Sequence, residues 1–150
     1  MGVHQGSCYC GNITVTVKTP EESKEPFVAT VPRECGCGYC TMHGAAWAST
    51  PNATLEIEIQ NEAAINLFEQ GSDSARFWLC QRCGVVPAVT CDIGGQRKGA
   101  VNANCMLERA EFPAARKSNP KELSADQKKD RWSDLWIEKV VIKDCWDVGL

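Results

Sequence analysis

Apolar and polar residues alternate with a period of two in three stretches of the chain. Ile13, Val15 and Val17 alternate with Thr14, Thr16 and Lys18; Leu55, Ile57 and Ile59 alternate with Glu56, Glu58 and Gln60. Ala75, Phe77 and Leu79 form the third set. Successive strand side chains point to opposite faces, so each run predicts a half-buried β-strand. The β-branched residues of the first two suit a pleated surface. Shorter strands are expected over 27–31, 45–50 and 100–104. Residues 85–92 read as an edge or bulged strand, because Pro87 has no N–H for a ladder.

Pro51-Asn52 and Gly94-Gly95 mark turns. Residues 61–70 fit either a strand or a short helix, ended by Gly71-Ser72-Asp73. The last third changes character. Asn119-Pro120 supplies a cap and a first-turn proline for a polar helix over 121–131. Trp132, Leu135 and Trp136 add packing mass, and 137–142 reads as a terminal strand. So many short strands divided by turns predict a mainly β core with a C-terminal helix. No repeat or linker interrupts residues 1–150, which read as a single domain.

Cysteine changes this picture most. The chain has ten, and three of them fall in Cys35-Gly36-Cys37-Gly38-Tyr39-Cys40. Glycine's freedom at positive φ would let such a loop curl and aim its sulfurs inward. A second pair lies in Gly6-Ser7-Cys8-Tyr9-Cys10-Gly11, and a third in Cys80-Gln81-Arg82-Cys83-Gly84, a CxxCG zinc-knuckle signature. Residues 1–6 lack the apolar core of a signal peptide, which makes a reducing, cytoplasmic setting the expectation. Paired thiols in that setting predict metal ligation rather than disulfides. Cys91, Cys105 and Cys145 stand alone and read as small buried hydrophobes.

A formal net charge of −3 gives no electrostatic reason to expect nucleic acid. No apolar run approaches the ~20 residues needed to cross a bilayer as a helix. A small-molecule partner is therefore the expectation, with no nucleic acid and no membrane.

Seven clustered thiols divide most economically into two zinc sites. Cys8 and Cys10 with Cys80 and Cys83 would close a tetrahedron, whose role would be folding. Cys35, Cys37 and Cys40 would then leave a fourth position open, as catalytic zinc sites do. Spacing alone leaves other divisions open. The trio could recruit Cys80 or Cys83, or His43 could close it as a Cys₃His site. The CxxC pairs also have dithiol spacing, but neither opens a helix in a βαβ unit, as thioredoxin-like chemistry requires.

The ordered set GSCYCG, CGCGYC, FWLCQRCG and VNANC resembles the family of glutathione-dependent formaldehyde-activating enzymes, which shares its domain with centromere protein V. The resemblance covers about residues 5–107 and leaves 108–150 as a C-terminal extension. It implies an Mss4-like β-tent of short antiparallel strands built around zinc, with two zinc ions per chain. It also implies structural ligands at Cys8, Cys10, Cys80 and Cys83, and a catalytic-type site at Cys35, Cys37 and Cys40.

The implied activity is carbon–sulfur lyase or synthase chemistry on a thiol adduct, glutathione being the implied thiol. Such an enzyme would resemble S-(hydroxymethyl)glutathione synthase. Tyr39 is a candidate proton donor, or else packs on the zinc loop. Trp132, Trp136 and Trp146 match no family motif and are candidates to shape a substrate pocket. The alternative reading is a non-catalytic zinc module for protein contacts, since no His–carboxylate pair declares itself as acid and base. A zinc-thiolate buffer is a third.

Overall fold

A computed structural model describes residues 2–21, 25–35, 38–69, 75–118 and 125–144. Among them, the fold is mainly β, with eleven strands and two α-helices. The first sheet has the order β1 (Gly2–Ser7), β2 (Ile13–Thr19), β5 (Thr54–Ile59) and β11 (Lys139–Asp144). The second sheet runs from β10 (Arg116–Ser118) through β3 (Arg33–Cys35) and β4 (Trp47–Ala48) to β9 (Gln96–Asn102). It continues through β8 (Ala88–Ile93) and β7 (Arg76–Cys80) to β6 (Ile65–Glu69). Helix α1 spans Gly38–His43 and α2 spans Ala125–Leu135.

The two clearest alternating runs are neighbours. β2 pairs antiparallel with β5, placing Val15 opposite Ile57 and Val17 opposite Leu55. Their apolar sides pack with Ala48, Trp78, Ala88, Val101 and Ile137 into the main core. On the outer side, Glu56 lies 2.6 Å from Lys18 and 2.7 Å from Lys143, tying three strands together by charge.

The second sheet is buried on both faces. Phe77, Val89, Cys91 and Ala100 face a second core with Trp47, Cys40 and Trp136, while Trp78, Ala88 and Val101 face the first. This explains why β7 buries Phe77, Trp78 and Cys80 instead of following the expected one-sided alternation. It also corrects the expectation for 85–92. β8 lies inside the sheet between β7 and β9, not at an edge. Pro87 precedes the strand, and its carbonyl accepts from the Asn102 N–H at 2.8 Å, so the missing donor disrupts no ladder.

Residues 27–31 hold a single turn of 3-10 helix at Phe27–Ala29, not a strand. Only Phe27 needs burial there, and one turn suffices to set its ring against His4 and edge-on to Phe112. The ambiguous 61–70 segment resolves into a 3-10 turn at Glu62–Ala64, capped by the Asn61 side chain, followed by β6. The stretch 100–104 belongs to a longer strand, β9, that ends in a 3-10 turn at Ala103–Cys105. The helix start at Asn119-Pro120 and the Gly71-Ser72-Asp73 stop lie outside the described residues.

The expectation of purely antiparallel strands is also corrected. β10 runs parallel to β3, and β11 runs parallel to β5. Both belong to the C-terminal third, which returns over long connections, and such connections permit parallel pairing. Residues 108–150 are therefore not a mere appendage: they supply an outer strand to each sheet and helix α2. Among the described residues no helix is long and apolar enough to cross a membrane.

Candidate metal centre and adjoining cavity

Two backbone turns build the first cluster by the same device. In the N-terminal turn, the Cys8 N–H donates to the Ile13 carbonyl at 2.9 Å, and Gly11 donates back to Cys8 at 3.2 Å. In the second, Cys80 N–H donates to the Val85 carbonyl at 3.0 Å, and Gly84 donates back to Cys80 at 2.9 Å. Each turn exits through a glycine at positive φ, +83° at Gly11 and +76° at Gly84. A Cβ at either glycine would meet no atom within 4 Å, so the backbone angle itself demands glycine there.

These turns bring four sulfurs together across seventy residues of chain. The ligand atoms of Cys8, Cys10, Cys80 and Cys83 all lie within 4.8 Å of one another. The Cys8–Cys10 sulfurs are 3.9 Å apart and the Cys10–Cys80 sulfurs 3.5 Å. A tetrahedral zinc with ~2.3 Å bonds separates its sulfurs by about 3.8 Å. The four cysteines could hold a metal ion, and their spacing and chemistry are compatible with zinc. No described cysteine is in a disulfide.

Protonation across the four thiols is uneven. Burial pushes the Cys8 thiol up to about 12, against the opposing Ile13 N–H, with Cys80, Cys83 and Cys10 adding to the rise. Burial also acts upward on Cys83, but donation from the Cys10 and Val85 N–H groups and from Cys80 and Cys8 outweighs it. Cys83 falls to about 7 as a result. Cys105, close by, rises to about 11 because it is partly buried beside Cys83. It is half-buried, not fully buried as expected, and its thiol donates to the Val86 carbonyl at 3.9 Å. Cys91 is buried in the second core, and Cys145 lies outside the described residues.

The second cluster sits on the opposite face of the larger sheet. Cys35 ends β3, and Cys40 lies in α1, buried at 3% exposure. Cys37 lies outside the described residues. The expected glycine-curled loop therefore becomes, from Gly38 onward, a helical turn that directs Cys40 inward. Cys35 and Cys40 both line a cavity of about 60 Å³. Its walls include Trp47 and Phe77 from the sheet, Trp132 and Trp136 from the C-terminal segment, and the guanidinium-bearing Arg33 and Arg131.

His43, the candidate closing ligand, is exposed and lies tilted against Tyr39 with ring centroids 4.5 Å apart; it is not among the cavity's lining residues. Tyr39 also stacks with Phe68 and with Phe77, each centroid 4.6 Å away, and packs against the second core. Arg33 donates to the Ser49 hydroxyl at 2.6 Å, and that hydroxyl donates to the Leu135 carbonyl at 2.8 Å. Burial lowers the Arg33 guanidinium below its ordinary range, and the charge of Arg131 lowers it further. The two tryptophans Trp132 and Trp136 stack at 4.7 Å.

Sequence reasoning marked Trp132 and Trp136 as pocket candidates but missed Arg33, Phe77 and Arg131. Arg33 carried one usable signal, its place two residues before Cys35 on what proved to be the same strand. Arg131 carried none, because helix α2 is polar along most of its length.

No protein-family model matches the chain, and no curated protein does. A crystal structure of a Rhodobacter sphaeroides protein, a structural-genomics target, is similar at 20% identity with a TM-score of 0.48. The match covers 80% of this chain and 94% of the other. A likeness that slight carries no weight for fold or chemistry.

Proposed function

We propose that this protein is a zinc-dependent enzyme of the carbon–sulfur lyase or synthase type, acting on a small-molecule thiol adduct in a reducing, cytoplasmic setting. The observation that carries the reading is the separation of the thiols into two environments. One set of four closes on itself; the other opens onto an aromatic cavity. On this reading the fold is the zinc-built Mss4-like tent of the formaldehyde-activating family. Cys8, Cys10, Cys80 and Cys83 hold a structural zinc, and Cys35, Cys37 and Cys40 hold a second.

A zinc ion bound there would lower the pKa of a neighbouring substrate thiol and so favour its thiolate. The chain's own residues do the rest. The walls formed by Trp47, Phe77, Trp132 and Trp136 exclude water and orient the apolar part of the substrate. In the forward direction the thiol sulfur forms one bond to a carbonyl carbon. The C=O π bond becomes a C–O–H group, and the thiol proton ends on that oxygen. No electron donor or acceptor is needed. The reverse direction expels the thiol and regenerates the carbonyl. Glutathione is the thiol suggested by the family resemblance.

The test is elemental zinc per chain in chelator-free protein, followed by NMR detection of hemithioacetal formation or cleavage. Two zincs, one lost in Cys35→Ser together with turnover, are expected. A single zinc in the unmutated protein, unaffected by Cys35→Ser, with no turnover by the unmutated protein after added zinc, would overturn the enzyme reading in favour of a binding module.

A further inference from the structure

Arg33 and Arg131 put two positive charges into the wall of a cavity otherwise lined by aromatic and aliphatic side chains and two thiols. They approach from different parts of the chain, β3 and helix α2, and are close enough for one charge to act on the other. Among the described residues, no carboxylate lies within ion-pair distance of either guanidinium. Arg33's described side-chain hydrogen bond is to a neutral hydroxyl. Two half-buried like charges are costly together, and an anion between them reverses the sign of that interaction. Guanidinium groups match carboxylates in particular, with paired N–H donors in a plane.

Size narrows the ligand further. A cavity of about 60 Å³ is well below the ~150 Å³ that accommodates benzene. It takes a carboxylate and one or two carbons, with the remainder of the molecule leaving through the open side.

We propose that Arg33 and Arg131 form a carboxylate-binding subsite, so that the reacting thiol–carbonyl pair carries a small carboxylic acid group. The inference rests on the enzyme reading for what reacts, but not for what binds. Within the cavity, the arginines would anchor the acid end while Cys35 and Cys40 mark the end where sulfur chemistry takes place. The carboxylate could belong to the carbonyl compound or to the thiol; either source presents the same group to the arginines.

The test begins with binding, followed by tryptophan fluorescence, since Trp47, Trp132 and Trp136 line the site. Propionate is expected to give a saturable change, and propionamide, its neutral counterpart, to bind at least tenfold more weakly. Arg131→Met should weaken propionate at least tenfold, and Arg131→Lys should restore part of it. An unchanged circular dichroism spectrum would show that the fold is intact. Equal binding of acid and amide, or no effect of Arg131→Met in a folded protein, would overturn the proposal.

Turnover then identifies the source. Glyoxylate with 2-mercaptoethanol places the acid on the carbonyl; acetaldehyde with 3-mercaptopropionate places it on the thiol. One pairing should outpace acetaldehyde with 2-mercaptoethanol by tenfold or more, and Arg131→Met should erase that advantage. If the neutral pairing turns over and neither acid-bearing pairing outpaces it, the proposal is also overturned. If propionate binds as expected but no pairing reacts at all, the enzyme reading fails while the anion subsite stands. Cys35→Ser separates the two again, by abolishing turnover and sparing propionate binding.

Discussion

Cys8, Cys10, Cys80 and Cys83 are held by two turns that each close through their own backbone hydrogen bonds, and only the docking of one turn on the other is long-range. The cavity beside Cys35 and Cys40 is assembled differently. Its walls come from β3, α1, β4, β7, β8 and the C-terminal helix with the residue that follows it. A site made of local turns needs few distant contacts to keep its shape. A site walled by side chains from many segments depends on the whole second core. The first is suited to holding a metal permanently, and the second to admitting and releasing a molecule.

The largest effect should come from breaking the closed cluster. Structural zinc contributes about 10–16 kcal/mol in apparent terms, comparable to the whole net stability of a typical domain. Cys80→Ser is expected to abolish a cooperative melt, while Cys35→Ser keeps one. Equal damage from both, in melting curves paired with zinc analysis, would erase the distinction between the two regions.

Trp136→Ala should strike the other side. Trp136 is 5% exposed in the second core, and truncating such a residue costs about 3–5 kcal/mol. The protein is expected to melt substantially lower yet retain the metal of the four-cysteine cluster. Loss of that metal in folded protein would show that the turns do not hold their shape alone.

Metal retention should also depend on pH in a stated direction. The metal-bound cluster requires thiolates, whereas in its absence Cys8 stays protonated up to about 12 and Cys83 up to about 7. Binding therefore releases protons, and affinity should rise with pH. Competition against a chelator should show affinity falling by more than about tenfold from pH 8 to pH 6. A flat profile would mean that the thiols are not the ligands.

Gly84→Ala gives the smallest shift. With open space around the added Cβ, only the left-handed backbone opposes it, at roughly 1–2 kcal/mol. A fall of a few degrees in melting temperature, with metal still bound, is expected. No fall would mean that the exit turn can relax, and that glycine is not what shapes it.

Much of this was legible in residue order. The runs at Ile13–Val17 and Leu55–Ile59 announced β2 and β5 because each has one face in the core and one in water, and the charges on the outer face confirm it. β1 was silent for a physical reason: its inward positions are His4 and Gly6, so no apolar alternation marks it. His4 is buried against Phe27 and Glu108, at 2.8 Å from the carboxylate, a setting no local pattern encodes. β3 and β10, three residues each, are too short to show a period. β8 misled, because a proline just before a strand resembles one inside it.

Residue order announced the thiol pairs and the turns that carry them. CxC and CxxC pairs with a following glycine specify a tight turn and the atoms it presents, since both are consequences of a few adjacent torsions. It could not settle which turns would meet, or what would stand opposite Cys35 and Cys40. Those depend on burying both faces of the larger sheet, which draws β10 and β11 into parallel pairings and lays Arg131, Trp132 and Trp136 over the thiols. Packing of that kind is a property of the whole folded chain, because each wall gains its burial only from the others.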